Sequence, residues 1–182
     1  MTLAQHPTLE EFLQWPEEKP YREYVFGWVR EKTTGDNLHS FLQNEIGYLL
    51  RGWTGQEGVV ATEQRCILRV ADERHVVLPD VAWFSQQQMP TLVRGPVYVS
   101  PTLAVEILSP DDRFSDVEDK IQVYLGAGVG VVWVVDPKGK HVTSYRADRA
   151  PERLNPPAVL SDTLLPGLVI SLADLFARLP EG

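Results

Sequence analysis

The run Val129–Asp136, VGVVWVVD, is apolar at every position except its glycine and its final aspartate. A strand with one wet face alternates polar and apolar residues, so an unbroken apolar run belongs to a strand covered on both faces. It must sit centrally in a sheet, and the rest of the chain has to supply the covering layers.

The flanking segments can do so. Thr8 followed by Glu10 and Glu11 has the form of an N-cap with an acidic first turn, giving a short helix that ends near Pro16. Tyr21–Lys32 is aromatic and β-branched, and a hairpin turning at Phe26-Gly27 is expected there. Leu38, Phe41, Leu42, Ile46, Leu49 and Leu50 recur at helical spacing up to Arg51, behind a cap at Asp36 or Asn37. Three strand-like runs follow, Val59–Val70, Val76–Phe84 and Thr102–Leu108. Ser115 or Asp116 then opens a second amphipathic helix through Val117, Ile121, Tyr124 and Leu125. His141–Tyr145 is expected to pair with the apolar strand, Ala150–Pro157 to form a Pro-rich surface loop, and Leu172–Leu179 to form a last helix after Ser171. The order helix, strand, strand, strand, helix, strand defines an α/β (α+β) chain with a mixed β-sheet flanked by helices.

At 182 residues the chain has the length of one domain, expected over residues 8–182 behind a tail at 1–7. Its net charge of −8 disfavours coating of nucleic acid by general electrostatics, though not a local basic face or a metal-assisted phosphate site. One cysteine, Cys66, excludes an intrachain disulfide and a Cys-rich zinc site; with neither signal peptide nor membrane span in view, the cytoplasm is the expected location.

Two carboxylates carry most of the chemical information. Asp80 and Glu106 interrupt apolar runs, VVLPDVAWF and TLAVEILSP, and a buried carboxylate costs several kcal/mol unless paired, hydrogen-bonded or metal-bound. On neighbouring strands they would also repel each other. A hard divalent cation answers both problems; an arginine partner or an exposed strand end is the plain alternative. Pro79 marks an edge or bulge beside Asp80. On the second helix Asp116, Lys120 and Tyr124 share a face, where Lys120 either reaches back over the sheet or forms a surface pair with Asp116. Lys138, Lys140, Arg146, Arg149 and Arg153 offer either a basic rim or a solvated hairpin.

Pro79-Asp80, Leu103-Ala104-Val105-Glu106-Ile107-Leu108-Ser109-Pro110, Asp116, Lys120, Tyr124, Gly128-Val129 and Trp133-Val134-Val135-Asp136-Pro137 together resemble the Uma family of putative restriction endonucleases within the PD-(D/E)XK nuclease superfamily. The resemblance runs from about Thr8 to the end. It implies a restriction-endonuclease-like fold with an αβββαβ core behind an N-terminal helix and hairpin. It also implies Mg²⁺ or Mn²⁺ on Asp80 and Glu106, with the backbone carbonyl of Ile107 as a further ligand. The superfamily lysine two residues after the glutamate is absent, since Leu108 stands there, and Lys120 is the residue that could supply it from the next helix. Glu23 and His39 match a glutamate of the first hairpin and a histidine opening the following helix, expected to help hold metal, water or Lys120.

The expected activity is metal-dependent hydrolysis of DNA phosphodiesters by Asp80, Glu106 and Lys120. The rival is a nuclease-fold module that binds nucleic acid or a protein partner without cutting it. Trp28, Trp53, Trp83, Trp133, Tyr21, Tyr24 and Phe26 are many large rings for a chain this size. Most belong to a core, and some are expected to cover a homodimer interface.

Overall fold

The computed structural model describes residues 6–33, 35–89 and 91–180. Helix α1 (Leu9–Leu13) opens on a reciprocal cap in which Thr8 accepts from the Glu11 amide while the Glu11 carboxylate accepts from the Thr8 amide. Strands β1 (Arg22–Val25) and β2 (Trp28–Glu31) form a hairpin whose turn residues Phe26 and Gly27 both have positive φ. Helix α2 (Asn37–Thr54) is capped by Asp36, which accepts from the His39 amide. Then follow β3 (Gly58–Thr62), β4 (Cys66–Val70), β5 (Glu73–Val77), β6 (Val81–Ser85), β7 (Leu103–Ile107), α3 (Phe114–Gly126), β8 (Val131–Asp136), β9 (His141–Arg146), β10 (Arg149–Leu154), β11 (Val159–Asp162), β12 (Leu165–Ser171) and α4 (Leu172–Phe176).

Six strands form the main sheet in the order β10-β9-β8-β7-β6-β3, antiparallel except for the β7–β8 pair, which α3 bridges. The apolar run lies inside this sheet as β8, with Val131, Val132, Trp133 and Val135 all at 1% exposure or less. Strict alternation sorts its neighbours. Val81, Trp83, Val105 and Trp133 meet Leu42, Ile46 and Leu50 of α2, whereas Ala82, Phe84, Ala104, Val132 and Val134 meet Val117, Ile121 and Tyr124 of α3. A second sheet, β2-β1-β5-β4, is joined to the first at Leu78-Pro79-Asp80, where the chain leaves β5 and enters β6.

Several expectations change. Val59–Val70 and Val76–Phe84 are each two strands rather than one, because the chain changes sheets inside each run, at Glu63–Arg65 and again at Leu78–Asp80. Pro79, which can donate no ladder bond, falls in the second of these junctions. Most of the expected loop at Ala150–Pro157 is β10, an exposed edge strand that pairs with β9 across a register shift and so tolerates Pro151. The second helix begins at Phe114 behind Arg113 and has no side-chain cap; Ser115 and Asp116 lie in its first turn. The last helix ends at Phe176. Residues 1–5 of the expected tail lie outside the described residues, but Pro7 is buried and His6 meets Trp28 edge-on at 4.1 Å.

Candidate active site

The alternation that builds the core also aims the two acids. Residues 80, 82 and 84 of one strand and 104 and 106 of the next point toward α3, and the register Val81↔Val105, extended by one residue, sets Asp80 opposite Glu106. Both are buried, at 1% and 6% exposure. Asp80 Oδ2 accepts from the Ile107 amide at 2.7 Å and lies 3.1 Å from His39 Nε2. Glu106 accepts from Lys120 Nζ at 2.8 Å on one oxygen and from the Tyr124 hydroxyl at 2.5 Å on the other. Lys120 Nζ also lies 2.9 Å from Glu23, whose carboxylate accepts the Leu78 amide at 2.7 Å.

Seven residues singled out in the sequence therefore converge: Glu23, His39, Asp80, Glu106, Ile107, Lys120 and Tyr124. Asp116 does not join them. It is half-exposed, 3.5 Å from Arg30 at the mouth of the site, and Lys120 is buried instead of pairing with it at the surface. The basic stretch is occupied locally: Arg146 pairs with Asp148 and Asp162, Arg149 pairs with Asp162, and Arg153 lies 3.2 Å from His141. It resolves toward the solvated hairpin. Trp83 and Trp133 are core residues, while Phe26 and Trp28 are exposed at the hairpin turn.

One residue was missed. Lys32 Nζ lies 2.7 Å from Asp80 Oδ1 and donates to the Leu78 carbonyl at 2.9 Å. Period two across the first hairpin was the available signal, since Glu23 pairs with Arg30 in register and Lys32 follows two residues later on the same face. Beside it, Asp112 accepts from the Thr33 hydroxyl at 2.5 Å and from the Ser109 amide at 2.6 Å, tying the end of β2 to the loop after β7.

These contacts split the two acids. Burial pushes Asp80 upward, but the Lys32 charge, followed by the His39 bond, holds its carboxyl well below the usual range. For Glu106 burial prevails and raises the pKa, with the charges of Asp80 and Glu23 adding to it. Burial works against the Lys120 and His39 cations, yet Glu106 and Glu23 raise the first and Asp80 raises the second. Tyr124 is pushed well up by burial and by Glu106, so its hydroxyl stays a donor.

The cluster floors a cavity of about 210 Å³ lined by seven carboxylates and four lysine and arginine side chains, together with His39. Among the described residues no three His, Cys, Asp or Glu side chains are grouped to hold one ion. The donors nevertheless suit a hard cation, because Mg²⁺ is commonly held by one or two carboxylates and completes its shell with water. Asp80 Oδ1 faces the Lys32 ammonium at 2.7 Å, and the excess of negative charge around the cavity favours a dication.

A mixed sheet with a helix bridging its parallel strands, and acids gathered where that helix faces the sheet, defines a restriction-endonuclease-like nuclease fold. A solved structure described as a putative nuclease belonging to DUF820 from Anabaena variabilis ATCC 29413 matches this fold with a TM-score of 0.85 and 28% identity, over 96% of this chain and 99% of that one. The chain belongs to the Uma2 family, described as putative restriction endonuclease, whose family model matches residues 9–173. Family and fold both support a nuclease function. No curated protein matches the chain. Among the described residues no helix is long and apolar enough to cross a membrane.

Proposed function

We propose that the chain is a metal-dependent endonuclease of the PD-(D/E)XK type that hydrolyses DNA phosphodiester bonds over Asp80 and Glu106. The observation that carries this reading is the placement of Lys120, which comes from α3 onto Glu106 where Leu108, two residues after that acid, offers no charge. Mg²⁺ or Mn²⁺ held by Asp80, Glu106 and the Ile107 carbonyl would supply charge to the phosphate and make water a better nucleophile.

The chain's own groups do the rest. Lys120 stays protonated between Glu106 and Glu23, so it can orient water and offset charge developing on phosphate oxygens. Tyr124 fixes the rotamer of Glu106, and His39 with the Ile107 amide fixes that of Asp80. Lys32 occupies Asp80 Oδ1 and must release it when a cation is held there. A homodimer, with two such sites for two strands, is supported by the exposed Phe26 and Trp28, at 37% and 52%; light scattering that shows a monomer at every concentration would remove it. We assign the chain to the cytoplasm, consistent with its free, buried Cys66.

Calorimetric titration with Mn²⁺ and Mg²⁺, run on wild type and Asp80→Ala beside plasmid nicking by wild type and Lys120→Ala, tests the reading. Metal binding lost in the first variant and nicking lost in the second are expected. A folded wild type that takes up neither ion would favour a module that binds without cutting, a reading to which the Lys32 ammonium on Asp80 lends support.

A further inference from the structure

A second cavity, of about 220 Å³, lies behind the Leu78-Pro79-Asp80 crossing. Its walls carry Trp15, Tyr21, Arg22, Gln64 and Arg65, aromatic rings interleaved with amide and guanidinium groups. Arg22 lies over the Trp15 ring at 5.9 Å, and Arg65 pairs with Glu17 at 2.5 Å while its Nε has no partner among the described residues. Three glutamates against two arginines leave a surplus negative charge, which disfavours a phosphate. A neutral heterocycle with both donors and acceptors on its edge suits these walls. The volume, below the roughly 300–1,000 Å³ of drug-sized ligand pockets, limits the occupant to one ring system.

A third pocket adjoins both cavities. A groove of about 190 Å³ shares Tyr21 and Glu63 with the aromatic cavity and Lys32, Thr33 and His39 with the acidic one. Along it Lys19, 72% exposed, pairs with Glu63 at 3.7 Å, a weak surface contact that a backbone phosphate can displace. A strand leaving the acidic cavity would meet a lysine and then an aromatic wall, the sequence of contacts that single-stranded nucleic acid uses.

We propose that the aromatic cavity is a base-binding subsite that takes one unstacked nucleobase from the strand whose phosphate lies over Asp80 and Glu106. This rests on the nuclease reading and deepens it, because the substrate must present a base outside a duplex stack, in a single strand, at an end or by flipping.

The test is binding of fluorescein-labelled 12-mer single-stranded DNA to the full chain in Ca²⁺, followed by anisotropy, with one abasic position walked along the oligonucleotide. One position should weaken binding about tenfold, in keeping with the loss of one stacked base. The positional effect should vanish in Trp15→Ala and persist in Trp15→Phe. If Trp15→Ala does not fold, the abasic walk on wild type still decides. Tight binding with no positional effect overturns the subsite and leaves the nuclease reading intact. No binding of the single strand overturns the subsite, and no binding of the 12-mer duplex either, in the presence of the cation, overturns both.

Discussion

Removing Lys32 separates structural from metal-binding roles for Asp80. In Lys32→Met the apolar stem is conserved while the ammonium 2.7 Å from Asp80 is lost, along with the 2.9 Å bond to the Leu78 carbonyl. Both side chains are largely buried, at 10% and 2% exposure, so the remaining carboxylate keeps its desolvation cost without its main counter-charge. Breaking such a pair costs about 3–5 kcal/mol, and His39 and the Ile107 amide, which stay, place this case near the lower end. At ~2–4 °C per kcal/mol for a chain of this size, about 3 kcal/mol lowers the melting temperature by ~6–12 °C in chelator. A cation that takes the place of the ammonium returns RT ln(1 + [L]/Kd), ~2.7 kcal/mol at a hundredfold excess over Kd. Thermal melts of variant and wild type, with chelator and with saturating Mn²⁺, should therefore show a deficit that nearly closes when the ion is present. A variant whose melting temperature is the same in chelator and in Mn²⁺ would refute the argument that Asp80 is a cation ligand held in reserve by Lys32.

Two further outcomes are expected. The pKa of His39 is raised in the fold, so its bond to Asp80 stabilises fully below the ordinary imidazole value of 6.5 and is lost as pH rises through the folded value; urea stability in chelator should fall across that window by more in wild type than in His39→Gln. A Cβ on Gly58 would lie 2.4 Å from Trp83 Nε1 and 2.6 Å from the Phe84 carbonyl, so Gly58→Ala should lose about 1–3 kcal/mol in denaturant unfolding.

Local patterning made much of this legible. The apolar run at β8, the stripe of α2 and the Asp36 cap all report contacts close in sequence, and both elements formed there, although α2 runs past Arg51 to Thr54 and β8 begins at Val131. The acids were legible for another reason: a charge inside an apolar run needs a partner, whatever that partner proves to be. What local pattern cannot carry is a change of sheet. Nothing in Val76–Phe84 distinguishes one strand from two except Pro79, and beyond the local β4–β5 hairpin the partners that separate β5 from β6 are β1 on one side and β3 and β7 on the other. Lys32 escaped for the same reason, since its partner at Asp80 belongs to another sheet and a lysine ending an exposed hairpin ordinarily faces solvent. The basic hairpin left two readings open in sequence, and the acid that decides for the solvated one by neutralising Arg146 and Arg149 arrives from β11.

The separation of the site's contacts along the chain sets the order in which it can assemble. Lys120 and Tyr124 reach Glu106 across 14 and 18 positions, through a helix packed on the strand that precedes it. Glu23 and Lys32 reach the Leu78 peptide across 55 and 46. Loop-closure entropy makes the longer contacts roughly 1 kcal/mol harder to close, and they also await pairing of the smaller sheet. The expected order is that Asp80 forms beside Glu106 before its lysine arrives, and a dication in the medium would then meet the bare pair first. Refolding from urea with and without Mn²⁺ would show this as a faster late phase in the metal. On the nuclease reading, a site that closed over its ion while folding would have no Lys32 to evict afterwards, and metal loading would then belong to the maturation of the chain.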